Sequence, residues 1–122
     1  MIGYVTLGSN DIPRAAGFYD ALLGLIDAKR LMDFGSFIAW GTAMGQPMLA
    51  VTKPYTGGAA TIGNGVMVAL QVSSKEQVNA LHAKALELGG ANEGAAGPRG
   101  DGFYAGYFRD LDGNKLNVFC LG

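Results

Sequence analysis

The sequence predicts an α+β fold made of two tandem copies of one small module. Shifting the chain against itself by 63 positions lays Tyr4-Val5-Thr6-Leu7 over Met67-Val68-Ala69-Leu70, and each tetrapeptide leads through a polar turn into an apolar-striped helix. The helices continue in parallel, Phe18 to Leu23 against Leu81 to Leu86. At 122 residues, 49% of them apolar, the chain is long enough for one domain with a core and too short for two independent ones. A two-copy repeat of units this small implies halves that pack together and share a site at their junction. One domain over residues 1–122 is therefore expected, with modules at about 1–55 and 65–122 linked by 54–65.

The elements follow from period and punctuation. Residues 2–8 alternate and are β-rich; Asn10 or Asp11 then caps a helix whose first turn tolerates Pro13. Ile12, Ala15, Ala16, Tyr19, Leu22 and Leu23 keep the spacing of a single buried face. Three short strands are predicted near 28–33, 36–41 and 47–53, separated by Asp33-Phe34-Gly35 and Met44-Gly45-Gln46-Pro47. The glycine-rich segment Pro54 to Gly65 is the connection between halves.

The second half opens with a strand at 65–72. Ser73-Ser74-Lys75-Glu76 reads as a capping box, with Ser73 accepting from the amide of Glu76. Its helix buries Val78, Leu81, His82, Ala85 and Leu88 and stops at Gly89-Gly90. Phe103 to Arg109 and Lys115 to Leu121 form two strands joined at Asp110 to Asn114, and the intervening strand, near 91–96, is the most weakly signalled.

Composition narrows the function classes. Nine basic and ten acidic residues give a net charge of −1, and neither sign forms a run. Nothing here predicts a nucleic-acid or membrane surface. The opening residues carry no positive leader, and no apolar run approaches about 18 residues, so a soluble cytoplasmic protein is expected. Cys120 is the only cysteine, which excludes an internal disulfide and a thiolate metal cluster.

The run Val5-Thr6-Leu7-Gly8, the pair Phe18-Tyr19, the lead-in Gly63-Asn64-Gly65, Ala85 to Gly90, and Arg109-Asp110-x-Asp112-Gly113-Asn114 resemble the vicinal oxygen chelate superfamily. That group contains glyoxalase I, extradiol dioxygenases, and fosfomycin- and bleomycin-resistance proteins. The resemblance covers nearly the whole chain. It implies two βαβββ modules whose sheets curl around a cleft with the helices outside. The usual Asp-Pro-x-Gly closing turn has Leu111 in place of the proline, which leaves a type I geometry open to Asp110 and Gly113.

Metal-using members resembling this chain place ligands in the first and fourth strands of each module. Projected here, those points are Tyr4, Met67, about Ala50, and Asn117. A phenol, a thioether, a methyl and a neutral amide are poor ligands for a divalent cation. No bound metal and no cofactor is therefore expected. His82, the single histidine, lies on the apolar helix face at the position Tyr19 holds in the first copy, and is read as structural because no catalytic partner is identifiable.

Strand alternation gives the cleft lining. If Val5, Leu7, Val68, Leu70, Leu116 and Val118 face the helices, then Tyr4, Thr6, Met67, Ala69, Gln71, Asn117 and Phe119 face the cleft, with Met48 and Ala50 beside them. Phe37 or Trp40 supplies an aromatic wall; their parities differ. The bland alternative is that these side chains are interior packing. Arg99, in Gly97 to Gly102, either holds an anionic ligand group or pairs with Asp101 on the surface. The Asp110-x-Asp112-Gly113 turn lacks the later carboxylates of a calcium loop, and Gly63-Asn64-Gly65 is no dinucleotide fingerprint because it precedes its strand.

The leading expectation is a metal-independent binder of a small apolar or aromatic molecule, with Tyr4, Thr6, Met48, Ala50, Met67, Gln71, Asn117, Phe119, Trp40 and Arg99 as candidate contacts. The alternatives are a divergent lyase, isomerase or dioxygenase-type enzyme, and a non-catalytic interaction module. Relatives of the bleomycin-resistance type imply a homodimer.

Overall fold

Each copy of the repeat folds as a strand, a helix and three further strands in a computed structural model that describes residues 1–122. The chain divides into two compact units, Met1–Ile62 and Gly63–Gly122. No helix is long and apolar enough to cross a membrane.

In the N-terminal unit β1 (Tyr4–Gly8) leads into α1 (Ile12–Gly24), followed by β2 (Lys29–Asp33), β3 (Phe37–Gly41) and β4 (Met48–Thr52). The sheet order is β1-β4-β3-β2, with β1 parallel to β4 and the other pairs antiparallel, so the sheet is mixed and open. Asp11 caps α1: its carboxylate accepts from the Arg14 amide at 3.1 Å, and Pro13 sits in the first turn, where a missing N–H costs nothing. Asn10 is tied elsewhere, its side-chain amide exchanging two hydrogen bonds with the backbone of Ala60.

The stripe of α1 buries the predicted residues together with Phe18. It packs on the face of the sheet that carries Leu7, Ile38, Trp40, Leu49 and Val51, all buried. Tyr19 and Trp40 meet at the centre, ring centroids 5.6 Å apart. Truncating a side chain as enclosed as Leu22 costs about 2–5 kcal/mol.

The C-terminal unit repeats the plan with β5 (Val68–Gln71), α2 (Lys75–Glu87), β6 (Ala91–Pro98), β7 (Phe103–Arg109) and β8 (Lys115–Leu121). Its sheet order is β5-β8-β7-β6, with β5 parallel to β8. Val78, Leu81 and Ala85 of α2 cover Phe108, Leu116 and Val118. The cap of α2 is one residue later than expected: Ser74 Oγ accepts from the Gln77 amide at 3.2 Å, while Gln77 Oε1 accepts from the Ser73 amide at 2.9 Å. With tandem serines either register is possible, and the Gln77 amide, which reaches back to Ser73, accompanies the one adopted here.

Strand β6 is longer than its sequence signal because it has no β-branched or aromatic residue of its own. It is an edge strand on β7, with register shifts between Asn92 and Gly97. The β7–β8 connection is a hairpin turn organised by the buried Asp110. Its Oδ1 accepts from the amides of Asp112 and Asn114, each at 2.9 Å, and its Oδ2 from the Asn114 side chain at 3.0 Å. The carboxylate thus serves the backbone of its own turn.

Candidate functional site

Alternation along β3 decides which side chains leave the core. Trp40 points toward α1, so Phe37, Ala39 and Gly41 point to the opposite, helix-free face. Tyr4 joins them from β1, its ring edge-on to Phe37 with centroids 6.0 Å apart. Register then brings Met48 opposite Tyr4, and Ala50 opposite both Thr6 and Ala39.

The result is a pocket of about 420 Å³ lined by Tyr4, Met32, Phe34, Phe37, Ala39 and Met48. Its walls are aromatic, thioether and methyl groups; the Tyr4 hydroxyl is the single polar side-chain group. Tyr4 is 57% and Phe34 73% exposed, a large outlay of apolar surface. Of the candidate contacts, Tyr4 and Met48 line this pocket, and Thr6 and Ala50 share its sheet face.

Met32 reaches the pocket through an irregularity. Arg30 pairs with Trp40 and Met32 with Ala39, so Leu31 is an extra residue, a β-bulge that changes the parity of the strand. Arg30 and Asp33 consequently fall on the α1 side, where Arg30 grips both oxygens of Asp20 at 2.9 and 2.7 Å and reaches Asp33 at 2.9 Å. The Arg30 hydrogen bonds are the main cause that holds the Asp20 carboxyl below its usual range, aided by the Trp40 indole; Asp33 is lowered by the Gly35 amide and by Arg30. Simple alternation misses both Met32 and Phe34; the exposed aromatic in the Asp33-Phe34-Gly35 turn is the one available hint.

Two expectations are corrected. Trp40 is not a wall of the pocket: it is 1% exposed and its Nε1–H donates to Asp20 Oδ1 at 2.8 Å, so Phe37 takes that place. Arg99 does not pair with Asp101; it turns back along β6, donates to the carbonyls of Pro98 and Ala95, and lies 5.5 Å from the centroid of Tyr107.

In the C-terminal unit, Tyr104, Gly106 and Phe108 face α2 and Phe103, Ala105, Tyr107 and Arg109 face away from it. Tyr107 is opposite Asn117, Asn117 opposite Ala69, and Phe119 opposite Gln71, so these share the helix-free face, with Met67 just before β5. Phe103 stacks on Phe119 at 5.2 Å. Asn117 is 2% exposed, and its Oδ1 has no hydrogen-bond partner.

His82 is structural in its contacts. Its Nε2 lies 3.2 Å from Asn92 Oδ1 and 3.1 Å from the Tyr107 carbonyl oxygen. Asn92 Oδ1 also accepts from the Gly94 amide, which identifies it as the oxygen. Both neighbours of Nε2 are acceptors, so that nitrogen carries the proton.

The sequence model of the Glyoxalase/Bleomycin resistance protein/Dioxygenase superfamily matches residues 1–118. The chain belongs to this superfamily. A glyoxalase/bleomycin resistance protein from Albidiferax ferrireducens T118 is 31% identical, with a TM-score of 0.91 over 100% of this chain and 99% of that one. More distant structures share the fold: a glyoxalase-related enzyme from Fulvimarina pelagi (22% identity, TM-score 0.78, 98% of this chain and 87% of that one) and a lactoylglutathione lyase from Agrobacterium tumefaciens (20%, 0.71, 98% and 92%). None of the curated proteins matches the chain.

The superfamily implies a metal, and the residues at its ligand points do not fit one. The N-terminal unit offers the Tyr4 phenol and the Ala50 methyl; the C-terminal unit offers the Met67 thioether and the Asn117 amide. Within either unit no three His, Cys, Asp or Glu side chains gather. The unpartnered Asn117 oxygen is the one plausible donor of the four, and a single neutral oxygen does not hold a divalent ion.

Proposed function

We propose that this superfamily member is a metal-independent binder of a small, uncharged, apolar or aromatic molecule, held on the helix-free face of the N-terminal sheet. The observation that carries the reading is the pocket formed by Tyr4, Met32, Phe34, Phe37, Ala39 and Met48, whose lining has one hydroxyl and no charge. Its volume falls in the range of about 300–1,000 Å³ typical of small-molecule sites. Edge-to-face rings and polarizable thioethers favour an aromatic guest, and the Tyr4 hydroxyl supplies one orienting hydrogen bond. The donor set at the ligand points supports binding without metal.

The test has two arms. Protein purified without an affinity tag is dialysed against nickel, zinc, manganese and iron(II) and its metal content measured; it is then screened by thermal shift against neutral aromatics. The expected result is no stoichiometric metal and a rise of several degrees with saturating ligand. One metal per chain would replace this reading with a lyase or dioxygenase role.

A homodimer belongs to the same proposal, supported by the exposure of Tyr4, Phe34, Ile62, Val66 and Met67. Sedimentation at micromolar concentration that gives only the single-chain mass would overturn it.

A further inference from the structure

The helix-free face of the C-terminal sheet gathers three cations and one carboxylate around a single ring. Arg99 lies 5.5 Å and Lys115 5.7 Å from the centroid of Tyr107, and Arg109 is the next outward-facing residue on the same strand. Arg109 is neutralised by Glu93, whose carboxyl is held down mainly by that pairing and in smaller part by Lys115. Arg99 and Lys115 form no ion pair. Two positive charges therefore remain on this face of a chain whose net charge is −1.

The guanidinium is held in place rather than merely exposed. The bonds to Ala95 and Pro98 use two of its five N–H donors. A Cβ at Gly94 would stand 3.3 Å from Nη2, a close approach, whereas one at Gly97 would only touch Nη1 at 3.4 Å, so it is Gly94 that leaves the room it occupies. A fixed, charged fork with free donors over an aromatic ring, which a second cation approaches from the strand on the other side, is an arrangement that attracts oxyanions.

We infer that Arg99 and Lys115, flanking Tyr107, form a binding site for a small oxyanion, a carboxylate or a phosphate. It shares no residue with the apolar pocket of the N-terminal unit.

The test is a titration of the ¹⁵N-labelled protein at low ionic strength with inorganic phosphate and, separately, with benzoate, with sodium chloride at matched ionic strength as control. Saturable shifts at Arg99, Tyr107 and Lys115, absent with chloride, are expected. Lys115→Gln, which touches no backbone group, should weaken them about tenfold with the rest of the spectrum unchanged. Arg99→Gln should act likewise, and its spectrum reports whether β6 persists. Tighter binding of benzoate would identify an aromatic carboxylate stacked on Tyr107; tighter binding of phosphate would identify a phosphate site. Shifts that never saturate, that chloride reproduces, or that survive Lys115→Gln unchanged would overturn the site.

Discussion

The indole Nε1–H of Trp40 donates to Asp20 Oδ1 at 2.8 Å, joining β3 to α1 at the edge of its buried stripe. The same carboxylate takes the guanidinium of Arg30 from β2, so one acidic side chain links three elements. This explains why Trp40, placed by spacing alone as a possible cleft aromatic, belongs to the core.

The pairing makes stability depend on acid. Asp20 has its pKa lowered in the folded state, so its contribution is fully present above the unfolded value of about 3.9 and is lost as pH falls through the lower folded value. With the side chain 44% exposed, solvent screening limits the effect to on the order of 1 kcal/mol. Urea denaturation from pH 6 to pH 2 should show Asp20→Asn already weakened at pH 6 and less sensitive to acid than the parent. Parallel curves would contradict this account.

Gly106 makes room for His82. A Cβ at position 106 would lie 2.9 Å from His82 Cδ2 and 3.0 Å from Cγ. Gly106→Ala should cost about 1–3 kcal/mol. Its cost should shrink when His82→Ala is already present, which a double-mutant cycle by chemical denaturation measures directly.

Asn117 holds a buried carbonyl oxygen without a donor. Such a group costs about 1–3 kcal/mol, and a β-branched apolar residue suits a central strand position. Asn117→Val should therefore leave thermal stability unchanged or raise it; a fall of several degrees would mean that the oxygen has a partner in solution.

Phe37 is half-buried, so its removal should affect binding more than folding. Phe37→Ala should weaken an aromatic ligand by about tenfold, from the loss of ring contacts with Tyr4 and Phe34 as well as its own. Calorimetric titration alongside a melting curve separates the two effects.

Much of the fold is visible in the sequence because burial dictates period. The stripe of α1 and the two-fold repetition are direct records of which side faces a core. Strand β6 is nearly invisible because its neighbour, not its own residues, holds it in the sheet. The pocket is half legible: Tyr4 and Met48 follow from alternation, whereas Met32 depends on the extra residue at Leu31, and no local signal marks a bulge. The oxyanion site depends on Arg99 bending back over Tyr107, past a glycine at 94 that in the sequence indicates only a loose strand.

The bulge at Leu31 separates two neighbouring positions into different environments. Arg30 works on the helix side and Met32 on the open side, though they are two residues apart. An engineer can therefore diversify 32, 34, 37 and 48 as a recognition library while the Asp20–Arg30–Trp40 clamp keeps the scaffold folded. Were β2 to pair regularly with Leu31 kept in the ladder, positions 30 and 32 would share one face, carrying either a guanidinium into an oily recess or a thioether into a charged cluster, and the unit would lose its specificity or its anchor.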